Sequence, residues 1–348
     1  VRNDLPVTRS KPVDGLRGIA AGLVILAHSG CRNEGAFGVD IFFALSGFLV
    51  GGLLLDDTNL YRFFVRRTAR IWPLALFTIA LVLATGPADG VQWLGLWNMN
   101  SWRLQHEFDG RAAGFWSLAV EEHWYLLVPF LVRSMRRREL PLAFAFIGLS
   151  SIGLRWFWQI HGWPGWYMLT WTRLDGLCAG AIAAWILRER PSLAPLAVPV
   201  AVIAFALAAT QIGERTWNRT GFLQATVFQP AGSVGTAALL LALTTGRAKW
   251  VATVLGLAPL AWLGQISYGL YLLHPLVIEV VGRKPVIVLI VTAVVAWMTH
   301  VLLEQPVIAW ARARTSSPRA VPVLAQPPSD SPASAGPASG GGTALGGP

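Results

Sequence analysis

Charge is scarce in this chain: Asp, Glu, Lys and Arg make up 13% of its 348 residues, about half the share of an ordinary soluble domain. That shortage excludes a soluble globular fold. Cysteine is scarcer still. The two present, Cys31 and Cys178, build neither a disulfide framework nor a metal-ligand spacing, so no metal is expected. Acid is short as well, 18 acidic residues against 28 basic. In a soluble chain the resulting net charge of +10 would suggest nucleic acid. Here the basic residues fall mainly between apolar runs, which is how membrane proteins orient themselves, and no nucleic-acid partner is expected.

Hydrophobic residues take up the remaining room, 54% of the chain with a mean hydropathy of +0.52. The 17 Trp suit a protein that meets lipid headgroups at two interfaces. Apolar stretches close to membrane length fall at 13–30, 36–55, 72–86, 115–132, 141–158, 168–187, 194–212, 226–245, 265–282 and 285–303. They predict an all-α integral membrane protein, a bundle of about ten transmembrane helices. Shorter apolar pieces at 90–98 and 251–263 read as interfacial or re-entrant. The first run has no small-residue cleavage site and leads straight into the second, so it is expected to remain as a span and not to be removed as a signal peptide.

The basic residues orient the bundle. With the N-terminus inside, the cytoplasmic loops collect Arg62, Arg66, Arg67 and Arg70, the run from Arg133 to Arg138, and Arg188, Arg190, Arg247 and Lys249. The outer loops keep Arg32, Arg103, Arg111, Arg215, Arg219, Arg283 and Lys284. The cytoplasmic set is larger, so both termini are expected in the cytoplasm and the protein in the cell membrane as a multi-pass chain. Residues 1–12 are then a cytoplasmic segment, 13–305 the transmembrane domain, and 306–348 a Pro-, Gly-, Ala- and Ser-rich tail. A tail of that composition cannot bury enough surface to order itself and is expected to be disordered.

Against this background the ionisable residues inside the spans stand out. In "VDGLRGIAAGLVILAH", Arg17 and His28 are eleven residues apart, which puts them on one helix face about 16 Å apart along the axis. Intramembrane charges normally face the bundle interior and mark function, although an Arg near a helix end also snorkels to headgroups. Asp40 opens the second run, "GAFGVDIFFALSGFLV", across a short hairpin from His28. It suits either an orienting role on the imidazole or a helix start. In "YRFFVRRTARIWP" the arginines form a basic patch suited to phosphate or to anionic lipid. "FWSLAVEEHWYLLVP" sets Glu121, Glu122 and His123 in an apolar span. Adjacent residues point about 100° apart, so at least one carboxylate needs a polar cavity. Arg173 and Asp175, near the outer end of "TRLDGLCAGAIAAWIL", suit substrate binding or a structural ion pair.

Together the pieces "DGLRGIAAGLVILAH", "GVDIFFALSGFL", "RRTARIWP", "WSLAVEEHWYLLVP", "TRLDGLCAGA" and "ISYGLYLLHP" resemble, in order, the acyltransferase 3 family of integral-membrane O-acyltransferases. The likeness runs over roughly residues 12–305. The resemblance implies transfer of an acyl group, often acetyl, from acyl-CoA to a hydroxyl of a sugar, cell-envelope glycan, glycolipid or small metabolite. Its basic residue and histidine fall on Arg17 and His28, its Arg-x-x-Arg element on Arg67 and Arg70, and its glutamate on Glu121. Arg17, Arg67 and Arg70 are then expected to hold the CoA phosphates, His28 to act as general base, with covalent carriage of the acyl group as the alternative, and Asp40 or Glu121 to orient the imidazole or stabilise its cation. Glu122, Arg173 and Asp175 are assigned to the substrate. No bound cofactor is expected beyond the acyl-CoA donor. Some members carry a fused extracytoplasmic esterase-like domain; where a second transfer step exists here, a separate extracytoplasmic transferase is expected to supply it. A loop at 87–114 with Trp93, Trp97, Trp102 and His106 is a candidate acceptor surface. The alternatives are a multi-span exporter and an inactive scaffold. The arginine patch opposite His28 argues against the first, and the intramembrane His28, Asp40 and Glu121 against the second.

Overall fold

A computed structural model describes residues 10–30, 36–85, 111, 114–163, 166–210 and 223–316. Among these residues every regular element is helical and no strand occurs. The helices are α1 (Lys11–His28), α2 (Ala36–Asp56), α3 (Leu60–Thr85), α4 (Phe115–Ser134), α5 (Leu140–Ile160), α6 (Leu174–Glu189) and α7 (Ala197–Ala209). After them come α8 (Gln229–Thr244), α9 (Lys249–Leu255), α10 (Ala258–Gln265), α11 (Ser267–Val281), α12 (Pro285–Thr299) and α13 (Gln305–Thr315). A 3₁₀ segment (Pro191–Leu196) leads into α7, and π-type turns (Gln224–Phe228 and His300–Glu304) lead into α8 and α13.

Six helical stretches among the described residues are long and apolar enough to cross a membrane: Phe37–Asp56, Leu60–Thr85, Leu140–Ile160, Pro191–Ala209, Gln224–Thr244 and Pro285–Thr315. The helices that fall short have a physical reason to do so. α1 carries Asp14 and Arg17, α4 carries Glu121 and Glu122, and α6 has only 16 residues, with Asp175 in its first turn. The short apolar piece 251–263 forms the two short helices α9 and α10.

α2 is the central helix, with 89% of its apolar stretch buried against protein, whereas only 22% of the α5 stretch is buried. Small residues let α2 sit that deep. Gly47 and Gly51 on α2 and Gly176 and Gly180 on α6 repeat at four-residue spacing, the pattern by which membrane helices approach backbone to backbone. A Cβ at Gly47 would lie 1.9 Å from the Leu177 carbonyl oxygen, and one at Gly180 2.0 Å from that of Ala44. Residues 306–315, assigned to the tail on composition, are helical, since α13 runs from Gln305 to Thr315. Arg66 of α3 anchors its end, donating from Nε to the Thr315 hydroxyl at 2.7 Å and from Nη2 to the Thr315 carbonyl at 3.3 Å. Residues 317–348, segment 1–9, Cys31 and nearly all of the 87–114 loop with its Trp93, Trp97, Trp102 and His106 lie outside the described residues. Cys178 is buried and free.

Candidate active site

A cavity of about 100 Å³ opens between α1, α2, α3, α4 and α11. Arg17, Arg67, Arg70 and Glu121 line it, with the hydroxyls of Ser46, Ser117, Tyr125 and Tyr271. Three guanidiniums face one carboxylate among apolar walls that include Val39, Phe42 and Leu118. The surplus of positive charge in poorly solvated surroundings suits an anionic ligand.

Spacing delivers these groups to one place. Glu121 and Tyr125 are one turn apart on α4, and the Tyr125 hydroxyl donates to Glu121 Oε2 at 2.5 Å. With its only hydrogen used there, the same oxygen accepts from Arg67 Nη2 and from Ser46 Oγ at 2.6 Å. The Arg67 guanidinium also lies over the Tyr125 ring, 3.9 Å from its centroid, a favourable cation–π arrangement. Arg67 Nε is buried and has no protein acceptor, which leaves one donor of the fork for a ligand. Arg17 is 3.5 Å from Asp14, one turn back on α1.

From this end a line of side chains leads towards His28. Ser117 Oγ and Tyr271 Oη are 2.5 Å apart, the Tyr271 ring lies 6.0 Å from the His274 ring, and His274 lies 5.0 Å from the His28 ring. His28 is exposed, the last residue of α1, and its Nδ1 donates to the Val24 carbonyl at 2.9 Å.

Asp40 and Glu121, expected to orient His28 or stabilise its cation, make their described hydrogen bonds elsewhere. Glu121 belongs to the arginine end, bridged to Arg67 through Tyr125. Asp40 lies in the second turn of α2, past the position where a side chain caps a helix. Its Oδ1 accepts from Arg173 Nη2 at 2.7 Å and from Gln229 Nε2 at 3.3 Å. Arg173 is boxed by Tyr167, Phe43 and Trp116, with its Cζ 4.6, 5.1 and 5.8 Å from their ring centroids. Beside it Arg155, fully buried, donates to Asp175. Its other bonds go to the Thr172 carbonyl at 2.8 Å and to the Ala225 carbonyl and Gln229 Oε1, both at 2.7 Å.

Arg173 and Asp175 therefore sit in a buried ion-pair network joining α2, α5, α6 and α8, and they do not line the cavity. Glu122 does not line it either; it turns away from Glu121 and pairs with the Trp72 side chain. Of the α3 arginines only Arg67 and Arg70 reach the cavity, while Arg62 pairs with Asp57 at 2.6 Å. Among the described residues no group of His, Cys, Asp and Glu is arranged to hold a metal ion. The residues missed in the sequence are Tyr125, Ser117, Tyr271 and His274. The i,i+4 pairing of Glu121 with Tyr125 and a further intramembrane histidine in "YLLHP" were the available signals.

Comparison with known proteins identifies the family. The acyltransferase 3 domain family (Acyltransferase domain) matches residues 11–303. A protein of Komagataeibacter xylinus assigned as the membrane-bound transacylase BcsY is 30% identical, with 88% of this chain and 85% of that protein covered. YrhL of Bacillus subtilis, assigned as a peptidoglycan O-acetyltransferase, is 29% identical over 85% of this chain and 54% of its own length. The O-acetyltransferase OatA of Staphylococcus aureus is 27% identical over 85% of this chain and 56% of its own. The chain thus spans most of the first relative and just over half of the other two. No solved structure matches the chain. A family match over most of the sequence and a helical membrane fold around a cationic cavity lead to one assignment: the chain belongs to the acyltransferase 3 family, and it is a membrane acyltransferase.

Proposed function

We propose that this acyltransferase takes an acyl group, acetyl by preference, from acyl-CoA and transfers it to a hydroxyl of a sugar or cell-envelope glycan. It does so from the cell membrane, crossed about ten times with both termini in the cytoplasm. The observation that carries this reading is the continuity from a cluster of three arginines, through paired hydroxyls, to a histidine pair. Arginine forks suit the CoA phosphates. The Arg17–His28 separation of about 16 Å is comparable with an extended pantetheine arm. Paired hydroxyls suit the amides of that arm. His28 Nδ1 holds the ring hydrogen against the Val24 carbonyl, which leaves Nε2 free to accept the proton of an attacking hydroxyl. The O-acetyltransferase names of two relatives support an oxygen acceptor, and the peptidoglycan named for one supports an envelope glycan.

The test uses membranes from cells making wild type, His28→Ala or Arg67→Ala, incubated with acetyl-labelled CoA and envelope glycan. Wild type moves label to the glycan. His28→Ala loses transfer by about 100-fold or more, the usual scale of general base catalysis. Arg67→Ala needs much more donor for the same rate. Wild-type membranes that neither bind nor consume acetyl-CoA overturn the reading.

A further inference from the structure

The turn after α5 carries Trp166 and Tyr167 and ends in a 3₁₀ segment (Thr170–Thr172) that leads into α6. Side-chain hydrogen bonds fix this turn. Thr172 Oγ1 donates to the Trp166 carbonyl, and Thr170 Oγ1 lies 2.8 Å from His123 Nδ1 on α4. Four aromatic rings then follow one another inward. Trp166 meets Tyr167 edge-on, with 5.7 Å between centroids and planes at 89°. Tyr167 lies 5.0 Å from Trp116, in the first turn of α4, and Trp116 lies 6.2 Å from Phe43 on α2. The first three rings are half-buried, whereas Phe43 is 1% exposed. Phe43 lines the cavity, as does Ser117, the neighbour of Trp116. The row therefore runs from the surface to the cavity wall. Trp116 precedes Glu121 by five residues on α4, so the row meets the cavity about 7.5 Å along that helix from the arginine end.

Interfacial Trp in a membrane belt meets lipid headgroups, a role that suits Trp156 on α5 and Trp297 on α12, 46% and 49% exposed. The row is built differently. Tyr167 and Trp116 stand beside the buried Arg173 guanidinium, their centroids 4.6 and 5.8 Å from its Cζ, so a protein cation holds these rings in place. Rings fixed in this way offer contact area at little entropic cost. A pyranose matches them: its C–H faces are apolar and pack flat on an aromatic ring, while its hydroxyls stay in water. We propose that Trp166, Tyr167 and Trp116 form the docking row for the acceptor glycan on the outer side of the bundle. The row delivers a sugar hydroxyl to the cavity at Phe43. This rests on the acyl-transfer reading above and deepens it, giving the acceptor a place apart from the arginines assigned to the donor.

The experiment compares full-length wild type, Trp166→Ala, Trp116→Ala, Trp166→Phe and Trp156→Ala in membranes, at matched protein amounts verified by size-exclusion chromatography. Thiol release from acetyl-CoA is followed against the concentration of solubilised envelope glycan, then against acetyl-CoA at saturating glycan. Trp166→Ala and Trp116→Ala are each expected to raise the KM for glycan at least about fivefold, the low end for one stacked ring contact. The KM for acetyl-CoA is expected to stay within about twofold, since binding at the arginine end is untouched. Trp166→Phe keeps a ring face and is expected to recover most of the loss. Trp156→Ala, the belt control, is expected to match wild type. A smaller rise in either alanine variant, an equal rise in Trp156→Ala, or a matching rise in the KM for acetyl-CoA overturns the proposal while leaving the transfer reading intact. Wild type that releases no thiol removes both. If Trp116→Ala fails to accumulate, Trp116→Leu is read by the same criteria.

Discussion

Removing one member of the Asp40–Arg173 pair strands the other, since their side chains are only 6% and 1% exposed. Asp40→Leu alone is expected to cost about 3–5 kcal/mol, the scale for uncovering a buried charge. Replacing both, as Asp40→Leu with Arg173→Met, is expected to recover most of that, because apolar groups of similar volume tolerate such a site. Thermal unfolding in detergent measures the first effect and acetyl-CoA turnover decides the role. A double variant that folds and keeps turning over fits a structural pair. One that folds but is inert would restore Asp40 to the chemistry. Tyr125 illustrates the opposite economy at the same scale: one phenolic oxygen serves Glu121, Arg67 and Ser46, tying the Glu121 carboxylate to the cavity's cations.

Among the helices, the crossing of α2 and α6 is the least tolerant of change. Gly47→Val would drive side-chain atoms into the Leu177 backbone, where even a Cβ would be 1.9 Å from the carbonyl oxygen. Backbone cannot move aside as a flexible side chain can, so the variant is expected to lose the monodisperse folded peak on fluorescence size-exclusion chromatography. Gly22→Val is the control, since no atom lies within 4 Å of a Cβ placed there, and it is expected to elute like wild type. A normal profile for Gly47→Val would mean the two helices cross farther apart. The same crossing matters to the site, because α2 carries Ser46 into the cavity and Asp40 into the ion-pair network.

At the scale of the whole molecule, the apolar stretches Leu140–Ile160, Pro191–Ala209 and Pro285–Thr315 are only 22–28% buried and form the periphery, and α2 is 89% buried at the centre. The intramembrane charges Asp40, Arg155, Arg173 and Asp175 are paired inside. Such an arrangement keeps costly groups away from lipid. Orientation is testable at this scale. In a background of Cys31→Ser and Cys178→Ser, Arg138→Cys is expected to react with an impermeant maleimide only after the membrane is opened. Lys284→Cys, in the turn between α11 and α12, is expected to react in intact cells. The reversed pattern would invert the bundle and put the arginine end of the cavity outside.

Helical class and the family were legible in the sequence, because each rests on local composition or on motifs in fixed order; of ten expected spans, six are long and apolar enough among the described residues. The presence of ionisable residues in apolar runs was legible for the same reason. Their partners were not. Asp40 and Arg173 are 133 residues apart, and nothing local to either names the other. Glu121 and Glu122 were indistinguishable by composition, and only the rotation of α4 against α3 turned one to Arg67 and the other to Trp72. The end of the helical chain was misjudged because α13 is held by Arg66, 249 residues away from Thr315, and not by its own hydrophobicity. His274 faced His28 only once α11 had packed against α1. A sequence specifies which groups must avoid lipid, but the pairing that lets them do so is a property of helices meeting in three dimensions.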